Sequence, residues 1–140
     1  MKRGFTLLQM VLVLLIVSAL LVVTTIEGSH LNSQLTLNTA VNTVMQEYEN
    51  VRKQAMVSGT SYLVYFYKDH AVYYRRSLED KNIIFNYQFP AGVTAFPHQR
   101  LHVRGETGYV EPMIVTFTGA NHQQRRVSFQ LGGEYLVQEQ

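Results

Sequence analysis

From Leu7 to Val23 the only polar residues are Gln9 and Ser18, and none is charged. A small water-soluble domain has nowhere to bury such a run. Counted from Phe5 to Ile26 it makes a helix roughly 33 Å long at about 1.5 Å per residue, close to the ~30 Å hydrocarbon thickness of a bilayer. A helix also satisfies its own backbone hydrogen bonds, which lipid cannot do. The expectation is therefore a single membrane span over residues 5–27. Lys2 and Arg3 ahead of it hold the N-terminus on the cytoplasmic side, so that everything after the span lies outside. An ordinary cleaved secretory signal would have an apolar core of only about 7–15 residues and a small-x-small cleavage site. Thr24-Thr25-Ile26-Glu27-Gly28-Ser29 supplies no such site.

Helical periodicity returns after Leu35. Leu37, Val41, Val44, Tyr48, Val51 and Ala55 succeed one another at steps of four and three and form one apolar stripe, widened by Met45 and Met56. Asn42, Gln46, Glu49, Asn50 and Lys53 occupy the opposite face, with Glu49 and Lys53 a favourably ordered i,i+4 pair. Gly59 stands where a helix C-cap is expected. Gly28 weakens the helix near the membrane edge and marks either a loop or a point of local unwinding. Residues 28–58 thus read as an amphipathic continuation of the spanning helix.

Residues 59–140 read as β structure. Tyr62–Lys68, Ala71–Arg76, Ile83–Phe89, Arg100–Arg104, Met113–Thr118, Arg126–Leu131 and Glu134–Val137 are β-branched and aromatic runs, and Asp69-His70 and Gly132-Gly133 are hairpin turn signals. Pro97 and Pro112 punctuate loops. The expected fold class is α+β: a long N-terminal helix packed on a small antiparallel domain of six to seven strands.

Residues 4–9, Gly-Phe-Thr-Leu-Leu-Gln, stand behind the basic Met1-Lys2-Arg3. They resemble the class III signal of type IV prepilins, and the helix-then-sheet order agrees with that family's fold. The resemblance implies a leader of residues 1–4, cut after Gly4 by a membrane-embedded prepilin peptidase, with Phe5 the N-methylated new N-terminus. Thr6 and Leu7 match the pattern too. Gln9 departs from it, because most members carry a glutamate there, held to pair with the N-terminal amine of the neighbouring subunit. Such a charge pair at about 4 Å and an effective dielectric near 20 is worth roughly 4 kcal/mol before desolvation. Gln9 retains an acceptor, but a hydrogen bond to a charged donor contributes only about 1.5–3 kcal/mol. A bulk, repeated subunit is poorly served by that loss, so the resemblance points to a minor subunit. Arg52-Lys53-Gln54-Ala55 and Leu131-Gly132-Gly133 further resemble features of minor competence pseudopilins of Gram-positive bacteria, of the ComGD type. Pseudopilins of type II secretion share the architecture.

Charge and composition narrow the rest. The net charge of +2 is supplied by Lys2 and Arg3, and after Ser58 eight basic side chains face seven acidic ones without clustering. Arg75, Arg76, Arg125 and Arg126 are candidate DNA contacts, but that balance argues against direct DNA binding. Cysteine is absent, which excludes disulfides, thiolate metal sites and cysteine nucleophiles. His98 and His102 are spaced too widely along a strand for an easy shared metal, and no phosphate loop or nucleophile elbow occurs. No enzymatic activity, metal or cofactor is expected. Tyr62, Tyr65 and Tyr67 belong to a run apolar on both strand faces, and one face is expected to pack against another subunit. The implied function is a minor subunit that helps initiate or cap a competence pilus for DNA uptake. Its partners would be other pilin subunits, the prepilin peptidase and the membrane, and it would reach the cell surface once assembled. The rivals are a secretion pseudopilin and a bitopic ligand-binding protein that never assembles.

Overall fold

The structure is a computed structural model that describes residues 7–76 and 81–139, with side chains other than those of residues 23–31 and 81. Its elements are one helix, α1 (Leu7–Ser58), and eight strands: β1 (Tyr62–Phe66), β2 (His70–Arg76), β3 (Lys81–Gln88), β4 (Thr94–Phe96), β5 (Gln99–Val103), β6 (Met113–Thr118), β7 (Gln124–Phe129) and β8 (Tyr135–Glu139). The chain divides into two compact units, Met1–Asn32 and Ser33–Gln140, and α1 contributes to both.

In the first unit α1 is helical from Leu7 onward, and its backbone stays helical through Gly28. Every side chain described there, Leu7 to Val22, is exposed. Ser18 turns its hydroxyl back on the helix and donates to the Leu14 carbonyl at 2.7 Å, so even this polar residue asks nothing of its surroundings. Among the described residues no helix is long and apolar enough to cross a membrane. The described apolar side chains stop at Val22, short of the ~20 that a span takes, and residues 23–26 of the run lie outside them.

The second unit holds the core. Leu37, Ala40, Val41, Val44, Met45, Tyr48, Val51 and Ala55 are all buried, the stripe expected from the periodicity. Met56 does not join it. It is 41% exposed and lies over Gly108, where even a Cβ would come within 3.0 Å of its Cγ. Being adjacent to Ala55 on the helix, it points off the stripe and covers a loop instead. The helix ends at Gly59, whose φ of 67° and amide bond to the Ala55 carbonyl (3.0 Å) make the C-cap.

The strands pair into two antiparallel four-stranded sheets, β3-β2-β1-β5 and β4-β6-β7-β8. Tyr62, Val64 and Phe66 of β1, Ala71 and Tyr73 of β2, and Leu101 and Val103 of β5 line the core from the first sheet. Ala95, Val115, Phe117, Val127 and Phe129 line it from the second. Each large side chain so removed from water contributes about 1.5–3 kcal/mol. Two buried tyrosines tie strands and loop to the helix. Tyr73 donates to the Val44 carbonyl at 2.7 Å, and Tyr48 donates to the Gly133 carbonyl at 2.6 Å.

Eight strands replace the expected six to seven. The additional one, β4, has three residues between Gly92 and Pro97, too few to show an alternation. The β7–β8 turn also differs from a two-residue turn at Gly132-Gly133. Gln130 donates to Glu134 and Gly133 donates to Gln130, both at 2.8 Å, so Leu131, Gly132 and Gly133 form the loop. Gly133 takes the left-handed position with φ 82°.

Candidate functional site

Three surfaces carry residues that the sequence marks as functional. The first is the start of α1. Gly4, Phe5 and Thr6 lie outside the described residues. Leu7 and Gln9 are exposed on the helix, Leu7 at 83%. A helix apolar on every side is stable in water only when something covers it, and the chain's own described residues do not cover Leu7–Val22.

The second surface is the face of the β3-β2-β1-β5 sheet that points away from the core. Alternation along β1 sends Tyr62 inward, where it is 4% exposed with its hydroxyl 3.4 Å from Gln54 Oε1. Tyr62 therefore cannot share a docking face with Tyr65 and Tyr67: three residues along a strand reverse the side. Tyr65 and Tyr67 do come together. Their rings stack at 6.2 Å, Tyr74 meets Tyr65 edge-on at 5.3 Å, and His70 stacks on Tyr67 at 4.4 Å. His70 Nδ1 is 2.6 Å from Asp69 Oδ1, and this hydrogen bond holds the Asp69 carboxyl below its ordinary range.

The same face carries a depression of about 290 Å³, lined by Leu63, Arg76, Arg100, His102 and Glu111. Strand register explains the grouping, because β1 pairs Leu63 with Tyr74 on one side and with His102 on the other, and Tyr65 with Arg100. Burial, then the charges of Arg76 and Arg104, push the His102 imidazole below its usual value.

The third group, the candidate DNA-contacting arginines, does not form a single surface. Arg75 and Arg76 are exposed at the end of β2 in the first sheet. Arg125 and Arg126 lie on β7 in the second sheet, and adjacent strand residues point to opposite faces. Arg125 is 7% exposed and structural: its Nε donates to Asn38 Oδ1 at 3.0 Å and its Nη2 lies 2.7 Å from Glu139 Oε1. Its place among Phe117, Val127 and Phe129 on the inward face is legible only from the β7 register.

Sequence reasoning missed what Arg52 does. It donates to the Gly132 carbonyl at 2.9 Å, and a Cβ on Gly133 would lie 2.5 Å from its Nε. The two segments that carried the finer resemblance, Arg52–Ala55 and Leu131–Gly133, thus touch. Among the described residues no group of three His, Cys, Asp or Glu side chains is placed to hold a metal.

Neither protein-family models nor curated proteins yield a match to this chain. Solved structures do. The minor pseudopilin EpsH from the type 2 secretion system of Vibrio cholerae superposes with a TM-score of 0.64 at 14% identity, over 74% of this chain and 96% of that one. A second EpsH structure gives 0.62 at 13% identity, over 73% and 92%. The type IV minor pilin FimU of Pseudomonas aeruginosa gives 0.62 at 11% identity, over 75% and 90%. At such identities the likeness is one of architecture, and the architecture of this chain, an N-terminal helix packed on antiparallel sheets, is the type IV pilin fold.

Proposed function

We propose that this chain is a minor pilin or pseudopilin, an anchored structural subunit of a type IV-like assembly rather than an enzyme. The observation that carries the reading is the contrast within α1. Its second half is a fully buried stripe in a complete domain, while its first half offers an apolar surface, Leu7–Val22, that the chain's own described residues leave uncovered. A membrane before assembly, and the same helices of neighbouring subunits after it, would cover that surface. On this reading residues 1–4 are a leader, the cut comes after Gly4, and Phe5 becomes the methylated N-terminus. The domain then lies outside the cell membrane.

The finer assignment is a competence pilus serving DNA uptake, with this subunit helping to initiate or cap the fibre. It is supported by the leader pattern, by Gln9 in place of glutamate, and by the contact between Arg52 and Gly132 that joins the two segments of the ComGD-type resemblance. The likeness to EpsH favours a second reading, a pseudopilin of protein secretion. Deletion separates the two, since loss of transformation with export intact supports the first and the reverse supports the second.

Intact-mass and peptide mass spectrometry of the membrane-associated protein tests the common core. The expected product begins at methylated Phe5; a product retaining Lys2 and Arg3 overturns it. Gln9→Glu is expected to leave that cleavage unchanged and to act on assembly alone.

A further inference from the structure

The depression on the outward face of the β3-β2-β1-β5 sheet has no role in membrane anchoring or leader processing. Its floor is Leu63, 6% exposed, and its walls come from three different segments: Arg76 at the end of β2, Arg100 and His102 on β5, and Glu111 in the loop before β6. Arg104, just past β5, adds a third guanidinium to the charges felt by His102, alongside Arg76 and Arg100, with Glu111 the one opposing carboxylate among the described residues. Among the described residues, Arg76, Arg100 and Arg104 form no ion pair with a carboxylate. His102 Nε2 is buried and finds no hydrogen-bond partner among the described residues. A buried polar atom without a partner costs about 1–3 kcal/mol and is rare enough in folded proteins to need a reason.

We propose that this depression is a binding site for a single oxyanion group, a carboxylate or phosphate, held by the Arg76 and Arg100 guanidiniums over Leu63. Among the described residues three guanidiniums face one carboxylate here, which makes the local field positive although the domain as a whole is close to neutral. Guanidinium forks match the planar geometry of a carboxylate and the oxygens of a phosphate, and both charge-assisted bonds and partial desolvation strengthen the contact. An anion seated there offsets the arginines that now oppose protonation of His102. Binding and proton uptake at His102 are therefore linked, each favouring the other. A polynucleotide fits less well than a single group. A strand of phosphates needs a continuous basic track, Glu111 interrupts this one, and Arg125 and Arg126 belong to the other sheet. The source of the group can be an acidic side chain of an adjoining protein chain or a free anion, and the experiment separates these.

The test is NMR titration of the histidine side chains in the full-length chain in detergent micelles. The probes are inorganic phosphate, a hexaglutamate peptide and a twelve-residue oligothymidylate. Phosphate and hexaglutamate are expected to raise the His102 pKa saturably, by about one unit, while His70, at the other end of β2, does not respond. Arg100→Gln and Arg76→Gln each weaken binding at least about tenfold, the loss of one charge-assisted contact, and Glu111→Gln tightens it, so the site remains testable even where an arginine variant folds poorly. Tighter binding of hexaglutamate than of phosphate identifies an acidic protein segment as the source, and the reverse order identifies a free anion. The proposal is overturned if neither probe shifts His102, if the shift survives Arg100→Gln undiminished, or if oligothymidylate binds more tightly than both.

Discussion

The two halves of α1 are built from the same kinds of residue and meet opposite fates. Leu7–Val22 is apolar on every side, and all of it is exposed. Leu37–Ala55 is apolar on one side only, and that side is buried to 0–2%. Hydrophobicity alone does not decide burial; its angular distribution does. A stripe can be satisfied by two sheets of its own chain, whereas a helix apolar all round needs an environment that surrounds it. The first half is therefore specified for an environment the chain's described residues do not supply, and the second for one they do. Substitutions in the two halves should act on different observables.

The largest effect is expected where the buried half meets its platform. Phe129 is 1% exposed and takes the edge of the Tyr48 ring at 5.0 Å. Phe129→Ala opens a cavity under the stripe and should cost about 3–5 kcal/mol of domain stability, read from chemical unfolding, with membrane association unchanged while the domain remains folded. If membrane association falls as far as stability does, the two halves are not separable.

The mirror experiment is Leu14→Arg. Leu14 is 66% exposed, so the domain's unfolding midpoint should not move. Under the proposed anchoring the arginine costs about 2.5–3.5 kcal/mol in the bilayer, read as loss of the protein from the membrane fraction. Unaltered membrane association would count against a span.

Tyr48→Phe sharpens the comparison at smaller scale. It keeps the ring and removes only the hydroxyl, leaving the buried Gly133 carbonyl without its 2.6 Å donor. A loss of about 1–3 kcal/mol is expected. Gly133 is nearly enclosed by the Gly108 carbonyl and Arg52, which leaves water little access to make good the lost bond.

The contrast between the halves also explains how much could be read from the residues alone. Local signals were legible: the stripe, the Gly59 cap and seven of the strand runs all rest on periodicity or turn chemistry within a few residues. Long-range pairings were not. That β1 has β2 on one side and β5 on the other, and that the strands separate into two sheets, depends on contacts distant in sequence. The candidate surfaces suffered for the same reason. Tyr62 and Arg125 look like exposed interface or ligand groups by type, and only the register turns the first inward and ties the second to Asn38 and Glu139. The oxyanion depression draws Arg76, Arg100, His102 and Glu111 from separate segments, and no local pattern unites them. The processing residues Gly4, Phe5 and Thr6 stand on sequence resemblance alone.

Alkaline pH offers the gentlest way to separate the halves. Leu7–Val22 contains no titratable side chain, while the buried stripe holds Tyr48 and receives Tyr73. Burial pushes Tyr48 up to about 12 and Tyr73 well above the ordinary phenol value of 10. Both raised values mean that the unfolded chain gives up these protons first. Their stabilising contribution is whole below pH 10 and declines as pH climbs from there through the folded-state values. At about pH 10.5 the loss should stay below about 1 kcal/mol per tyrosine, small beside Phe129→Ala. It should nonetheless appear as a falling unfolding midpoint, and Tyr48→Phe should flatten part of that fall because the variant has no proton to lose at that position. Membrane association of folded protein should be indifferent to the same change in pH. A parallel decline in both would mean that the first half of α1 depends on the packing of the second, and the division of labour along the helix would have to be abandoned.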